Sequence, residues 1–122
     1  MEKTAIIAGA SGLIGRSLTQ QLLNSDDYGQ VIALVRKPLG LQHKKLSEVL
    51  IDFDELANVK DFPKAEDVFC CLGSTMKKAG SKEAFYKIDF TYPYELAKVA
   101  HAAGADRYFL VSALGAKKNS RY

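Results

Sequence analysis

At 122 residues, 48% hydrophobic and 25% charged, the chain is long enough for one globular domain with a real core. No apolar run approaches the about 20 residues that span a bilayer, and a net charge of +3 is too small to argue for a nucleic-acid partner. The opening Met-Glu-Lys-Thr leads straight into an apolar segment, so no signal peptide and a cytoplasmic address are expected.

Thr4 to Ala8 reads as a buried strand that breaks into glycines at positions 9, 12 and 15 and passes without a gap into an apolar-striped helix. Such a strand, turn and helix leave the first helical N–H groups unpaired where the helix dipole favours an anion. Gly9 permits the turn, Gly12 the close approach of a diphosphate, and Gly15 the packing of helix on strand. The residues between them, Ala10, Ser11, Leu13 and Ile14, belong to the same cofactor-binding turn. Ile14, Leu18 and Leu22 recur every fourth residue and predict the inward face of the helix.

Gln30 to Val35 is an almost unbroken apolar run, as expected of a parallel strand covered on both sides. NAD-specific folds place an Asp or Glu at the tip of this second strand, for the adenosine ribose hydroxyls. Here the position holds Arg36, followed by Lys37. A guanidinium grips a 2′-phosphate with paired hydrogen bonds and gains little from a bare ribose, which favours NADP over NAD. The bland alternative is a solvated basic pair.

A third strand is expected over Ser47–Phe53, with Asp52 either beside the adenine or merely capping the strand. A short helix and turn follow over residues 54–66, with Leu56 and Val59 inward and Pro63 as the stop. The fourth strand, Asp67 to Leu72, carries adjacent cysteines whose side chains must point to opposite faces, so neither a metal pair nor an ordinary disulfide follows. It ends in Leu72, Gly73, Ser74 and Thr75, which would line the cofactor's ribose and diphosphate or form an ordinary turn.

Helical spacing runs from Ser81, an N-cap candidate, to Ala103, with Gly104 as the stop and Pro93 inside. A proline lacks the N–H that the carbonyl four residues earlier needs, here Asp89. The alternative is that Pro93 opens a second helix capped by Thr91. Arg107 to Val111 is the fifth strand and delivers Ser112 to the same carboxyl edge of the sheet. No Gly-Lys-[Ser/Thr] follows the glycine turn, which argues against P-loop phosphate hydrolysis.

The glycine spacing G-x-x-G-x-x-G resembles that of the extended and atypical short-chain dehydrogenases/reductases. Residues 70–92, CCLGSTMKKAGSKEAFYKIDFTY, together with GASGLIG and RYFLVSALGA, resemble one atypical group, the Tat-interacting-protein-like oxidoreductases and their bacterial relatives. The resemblance implies a Rossmann-type doubly wound α/β sheet in the order 3-2-1-4-5 over residues 1–122. It also implies an NAD(P)-binding oxidoreductase acting on a carbonyl or alcohol of a small molecule. Ser112 then matches the serine that assists the catalytic tyrosine, and the Asp89 carbonyl the main-chain group that faces an active-site water.

The family's Tyr-x-x-x-Lys pair is expected beyond Tyr122, on the helix after strand five, and no such pair is expected within this chain. The chain would then hold the cofactor half of a longer fold. Two other roles remain open: a non-catalytic NADPH-sensing module that reports to a protein partner, and a nucleotide-sugar epimerase. An uncovered fifth strand would favour homo-oligomers.

Overall fold

The computed structural model of the chain describes residues 2–59, 61–72 and 80–111. Five strands form one parallel sheet: β1 (Lys3–Ala8), β2 (Tyr28–Val35), β3 (Leu46–Leu50), β4 (Asp67–Cys70) and β5 (Arg107–Leu110). Their spatial order is β3-β2-β1-β4-β5, the doubly wound order expected from the sequence. β1 is central, pairing with β2 on one side and β4 on the other.

Alternation along β1 builds a core on each face of the sheet. Ile6 and Ala8 join Ile32, Leu34, Val68 and Cys70 beneath Leu56, Leu96 and Ala100. Ala5 and Ile7 join Val31, Ala33 and Val35 beneath helix α1 (Leu13–Leu23). Cys70 belongs to the first cluster and Cys71 packs against the second, so the neighbouring thiols do face opposite ways, and both are free. Burial pushes both thiols up, Cys71 to about 11.

Helix α1 is turned from the face its apolar spacing predicts. Its buried residues are Gly15, Thr19, Leu22 and Leu23, while Ile14 is exposed and Leu18 only half-buried. Gly15 is the closest point of the packing, and the next turn brings Thr19 inward, where its hydroxyl donates to the Gly15 carbonyl at 2.7 Å. The C-terminal end of α1 is closed from outside: Lys45 Nζ donates to the carbonyls of Leu23 and Ser25 at 3.2 and 3.0 Å.

The third strand is shorter than the apolar run suggested. It stops at Leu50, and Phe53 begins a 3-10 helix (Phe53–Asn58) whose N-cap, Asp52, accepts from the Asp54 N–H at 2.9 Å. This turn carries Phe53 and Leu56 into the core.

The long helical segment is one rod in three parts: α2 (Lys82–Tyr86), a π-helical turn (Lys87–Thr91) and α3 (Tyr92–Ala102). Ser81 caps it through the Ala84 N–H at 3.1 Å. Thr91 is helical and makes no capping bond with its side chain, so Pro93 does not begin a separately capped helix. The Tyr92 N–H bonds to the Lys87 carbonyl, five residues back. The wide turn and the proline together remove the i+4 donor from Asp89 and the i+5 donor from Ile88.

Candidate cofactor site

Gly9 sits at φ +85°, and a Cβ there would stand 2.6 Å from the Cys71 carbonyl carbon and oxygen. Positive φ and contact with the next strand's backbone both require glycine at the end of β1. At Gly15 a Cβ would stand 1.9 Å from the Gly9 oxygen, so the helix start is pressed against the turn. Gly12, the N-cap, has an ordinary extended backbone (φ −77°), and its Cβ would meet only the Gly9 oxygen at 3.7 Å. The protein itself has room for a side chain there.

The Arg16 N–H is the first in α1 to reach back to the Gly12 carbonyl, at 2.8 Å. The N–H groups of Leu13, Ile14 and Gly15 precede that first i−4 bond and are the orphan donors of the helix start. Beside this turn opens a cleft of about 530 Å³ at the carboxyl edge of the sheet. Gly9, Ala10 and Ser11 form one wall, Arg36, Lys37 and Leu39 another, and Phe53 and Leu72 also line it. The segment after β2 is held by Glu48 of β3, whose two carboxylate oxygens accept from the Leu39 N–H at 3.3 and 3.2 Å.

Of the residues picked out in the sequence, Gly9, Ala10, Ser11, Arg36, Lys37 and Leu72 meet at this cleft. Gly12 caps α1, while Leu13 and Ile14 turn away into an apolar groove beside Phe69 and Phe109. Asp52 is exposed and caps the 3-10 helix next to Phe53. Asp89 falls within the π turn. Gly73, Ser74, Thr75 and Ser112 lie outside the described residues.

Six lining residues lie outside the set the sequence pointed to: Arg16, Leu34, Val35, Pro38, Leu39 and Phe53, the last expected only as the end of the third strand. The signal for Arg16 was its place directly after the third glycine, one turn on from Gly12.

A Tyr-x-x-x-Lys spacing does occur within the chain, contrary to expectation, at Tyr94 and Lys98 of α3. Tyr94 is half exposed and stacks on Phe90, and Lys98 Nζ lies 5.3 Å from the centre of the Tyr94 ring. Neither residue lines the cleft. The pair therefore decorates the outer surface of the helix.

Behind the cleft, Tyr92 packs on Phe53 with ring centroids 5.7 Å apart and donates to Asp54 at 2.8 Å, where Lys87 Nζ also lies at 3.4 Å. The Tyr92 phenol is pushed up to about 12, by burial first and then by Asp54. The Tyr92 hydrogen bond outweighs desolvation and, with Lys87, holds Asp54 below the usual carboxylate range. The 3-10 helix that presents Phe53 is in this way tied to the long helical rod.

A parallel sheet in this order, with a glycine turn opening onto a cleft at its carboxyl edge, defines a Rossmann-type nucleotide-binding protein. Residues 9–122 match the NAD(P)H-binding family, and the chain belongs to that family, within the atypical short-chain dehydrogenases/reductases. It is 32% identical to the protein HTATIP2 of Rattus norvegicus over 98% of this chain and 51% of that protein. It is 36% identical to the mitochondrial protein FMP52 of Kluyveromyces lactis over 95% of this chain and 53% of that protein. The chain thus spans about half the length of these relatives.

Among solved structures, a mutant uronate dehydrogenase of Agrobacterium tumefaciens complexed with NAD superposes with a TM-score of 0.72 at 18% identity. The match covers 92% of this chain and 41% of that one. This likeness speaks for the fold alone. The expectation of a cytoplasmic address is withdrawn, because FMP52 relatives from several yeasts are named as mitochondrial.

Proposed function

We propose that this chain is the cofactor-binding half of an NADPH-dependent oxidoreductase that moves a hydride between the nicotinamide and a carbonyl or alcohol. The observation that carries the preference for NADPH is that Arg36 and Lys37 line the same cleft as the Gly9–Ser11 turn. In this reading the diphosphate rests on the free N–H groups at the start of α1, and the Arg36 guanidinium takes the 2′-phosphate through paired charge-assisted hydrogen bonds. Gly73, Ser74 and Thr75 serve the ribose and diphosphate from the end of β4. Ser112 hydrogen-bonds the substrate oxygen, and the Asp89 carbonyl, which Pro93 leaves without its usual donor, holds a water of the site. The tyrosine that would exchange the proton, and the lysine that would lower its pKa, are expected from the part of the relatives' length that this chain does not span.

Titration with NADPH and NADH, repeated with Arg36→Asp, tests the reading. NADPH is expected to bind more tightly. The variant should lose about ten- to a hundredfold in NADPH affinity, the size of one charge-assisted contact, with little change for NADH. Equal binding of the two nucleotides by the unmodified chain would end the NADPH assignment.

A further inference from the structure

Among the described residues, the cleft gathers three cations and no acid. Arg36 and Lys37 enter from the segment after β2, Arg16 enters from the first turn of α1, and no Asp or Glu is among the lining residues. Three carboxylates around it are otherwise engaged: Glu48 accepts from the Leu39 N–H, Asp52 from the Asp54 N–H, and Asp54 from the Tyr92 hydroxyl. Arg16 is exposed and makes no ion pair among the described residues. Like charges converging on a partly enclosed cavity repel one another unless an anion is placed among them. The diphosphate already has the uncharged donors of the helix start. A third cation beside Arg36 is therefore more than a diphosphate and a bare ribose would use, and it matches a phosphomonoester carrying nearly two charges.

We infer that Arg16 is a specificity-determining residue, closing on the 2′-phosphate of NADPH from the α1 side while Arg36 and Lys37 hold it from the β2 side. The inference rests on the NADPH reading above. With Arg on two separate elements, the phosphate is clamped rather than touched from one edge, and each guanidinium offers paired donors to different oxygens. An NAD ribose gives Arg16 nothing to hold, so its contribution should appear only with 2′-phosphorylated nucleotides.

The test is calorimetric titration of the unmodified chain, Arg16→Ala, Arg16→Lys and Arg36→Ala with four probes: NADP+, NAD+, 2′,5′-ADP and 5′-ADP. Arg16→Ala is expected to weaken NADP+ and 2′,5′-ADP about tenfold or more and to leave NAD+ and 5′-ADP within about twofold, with partial recovery in Arg16→Lys. Far-ultraviolet circular dichroism confirms that the exposed substitution leaves the fold intact, and Arg16→Gln is the replacement should Arg16→Ala disturb it. The role of Arg16 is overturned if NADP+ binding is unchanged in a folded variant, or if NAD+ weakens as much as NADP+. In either case an undiminished preference of the unmodified chain for NADP+, lost in Arg36→Ala, leaves the NADPH reading standing. No preference in the unmodified chain overturns both.

Discussion

A Cβ at Gly12 would stand 3.7 Å from its nearest protein atom and one at Gly15 only 1.9 Å, so the two glycines answer to different masters. Gly15→Ala drives a methyl into the Gly9 carbonyl and must push α1 off the sheet, an overpacking that should destabilise by about 2 kcal/mol or more. Gly12→Ala should change stability by no more than about 1 kcal/mol, the difference between glycine and alanine at an N-cap. It should nonetheless reduce nucleotide affinity sharply, because in the proposed site its methyl would stand where the diphosphate rests. Urea unfolding and NADPH titration of both variants separate the effects, and a Gly12→Ala protein that binds NADPH normally would refute the diphosphate seat. This turn was legible because a glycine's spacing is a statement about backbone. The inward face of α1 was not, since Thr19 looks polar until its hydroxyl is seen to bond within the helix at Gly15. Arg16 was lost for a related reason: a charged residue on a helix surface is the commonest thing a sequence can show.

Strands β1, β2, β4 and β5 begin at a shared charged clamp. Asp67 is fully buried, takes two hydrogen bonds from Arg107 at 2.8 and 3.0 Å, lies 3.3 Å from Lys3 Nζ, and accepts from the Tyr28 hydroxyl. Burial by itself would raise the Asp67 carboxyl, but the bonds from Arg107, Tyr28 and Lys3 hold it below the ordinary carboxylate range. A depressed folded value means that the stabilisation is present above the unfolded value of about 3.9 and is lost as pH falls through the folded one. Tyr28 has the opposite sense. Burial and Asp67 push it up to about 12, so its share persists at low pH and is lost as pH rises from about 10 toward that value. Asp67→Asn should destabilise by about 2 kcal/mol at neutral pH, below the range for a wholly buried pair because the Arg107 and Lys3 side chains are 55% and 35% exposed and can return to water. Urea midpoints measured from pH 7 down to pH 3 should fall less steeply in the variant. Parallel acid limbs would show that Asp67 is not the group being titrated. The sequence marked each of these strands, yet the clamp could not be read from it, because residues 3, 28, 67 and 107 meet only when the strand order is known. Local boundaries failed for a different reason. Ser47–Phe53 is apolar enough for one strand, but Asp52 caps a new turn and Phe53 is buried from a 3-10 helix. Likewise Pro93 announced a disturbance in the long helix without saying that it would be absorbed as a π turn.

Across the whole molecule, the strand order was predictable because the glycine turn and its flanking motifs resemble a family whose first strand is central, with strands added to either side of it. The same order leaves β5 at one edge, where Phe109 and Leu110 are exposed. Beside them an apolar groove of about 470 Å³ runs between α1 and the sheet, lined by Leu13, Ile14, Leu18, Phe69, Phe109 and Val111. Leu13 is 88% exposed, so the helix that borders the cleft on one flank presents bare hydrocarbon on the other. No element among the described residues pairs with the outer edge of β5. An unpaired edge beside an apolar face favours pairing with another such edge, and a second copy of this chain offers both features. The 122-residue chain should therefore self-associate with rising concentration. Phe109→Lys, which puts a charge against the groove and the strand edge, should shift it toward monomer without weakening NADPH binding at the opposite flank of α1. Sedimentation velocity over a hundredfold range of concentration reads the outcome. A chain that stays monomeric throughout, or a Phe109→Lys variant that associates as strongly as the parent, would place the contact elsewhere.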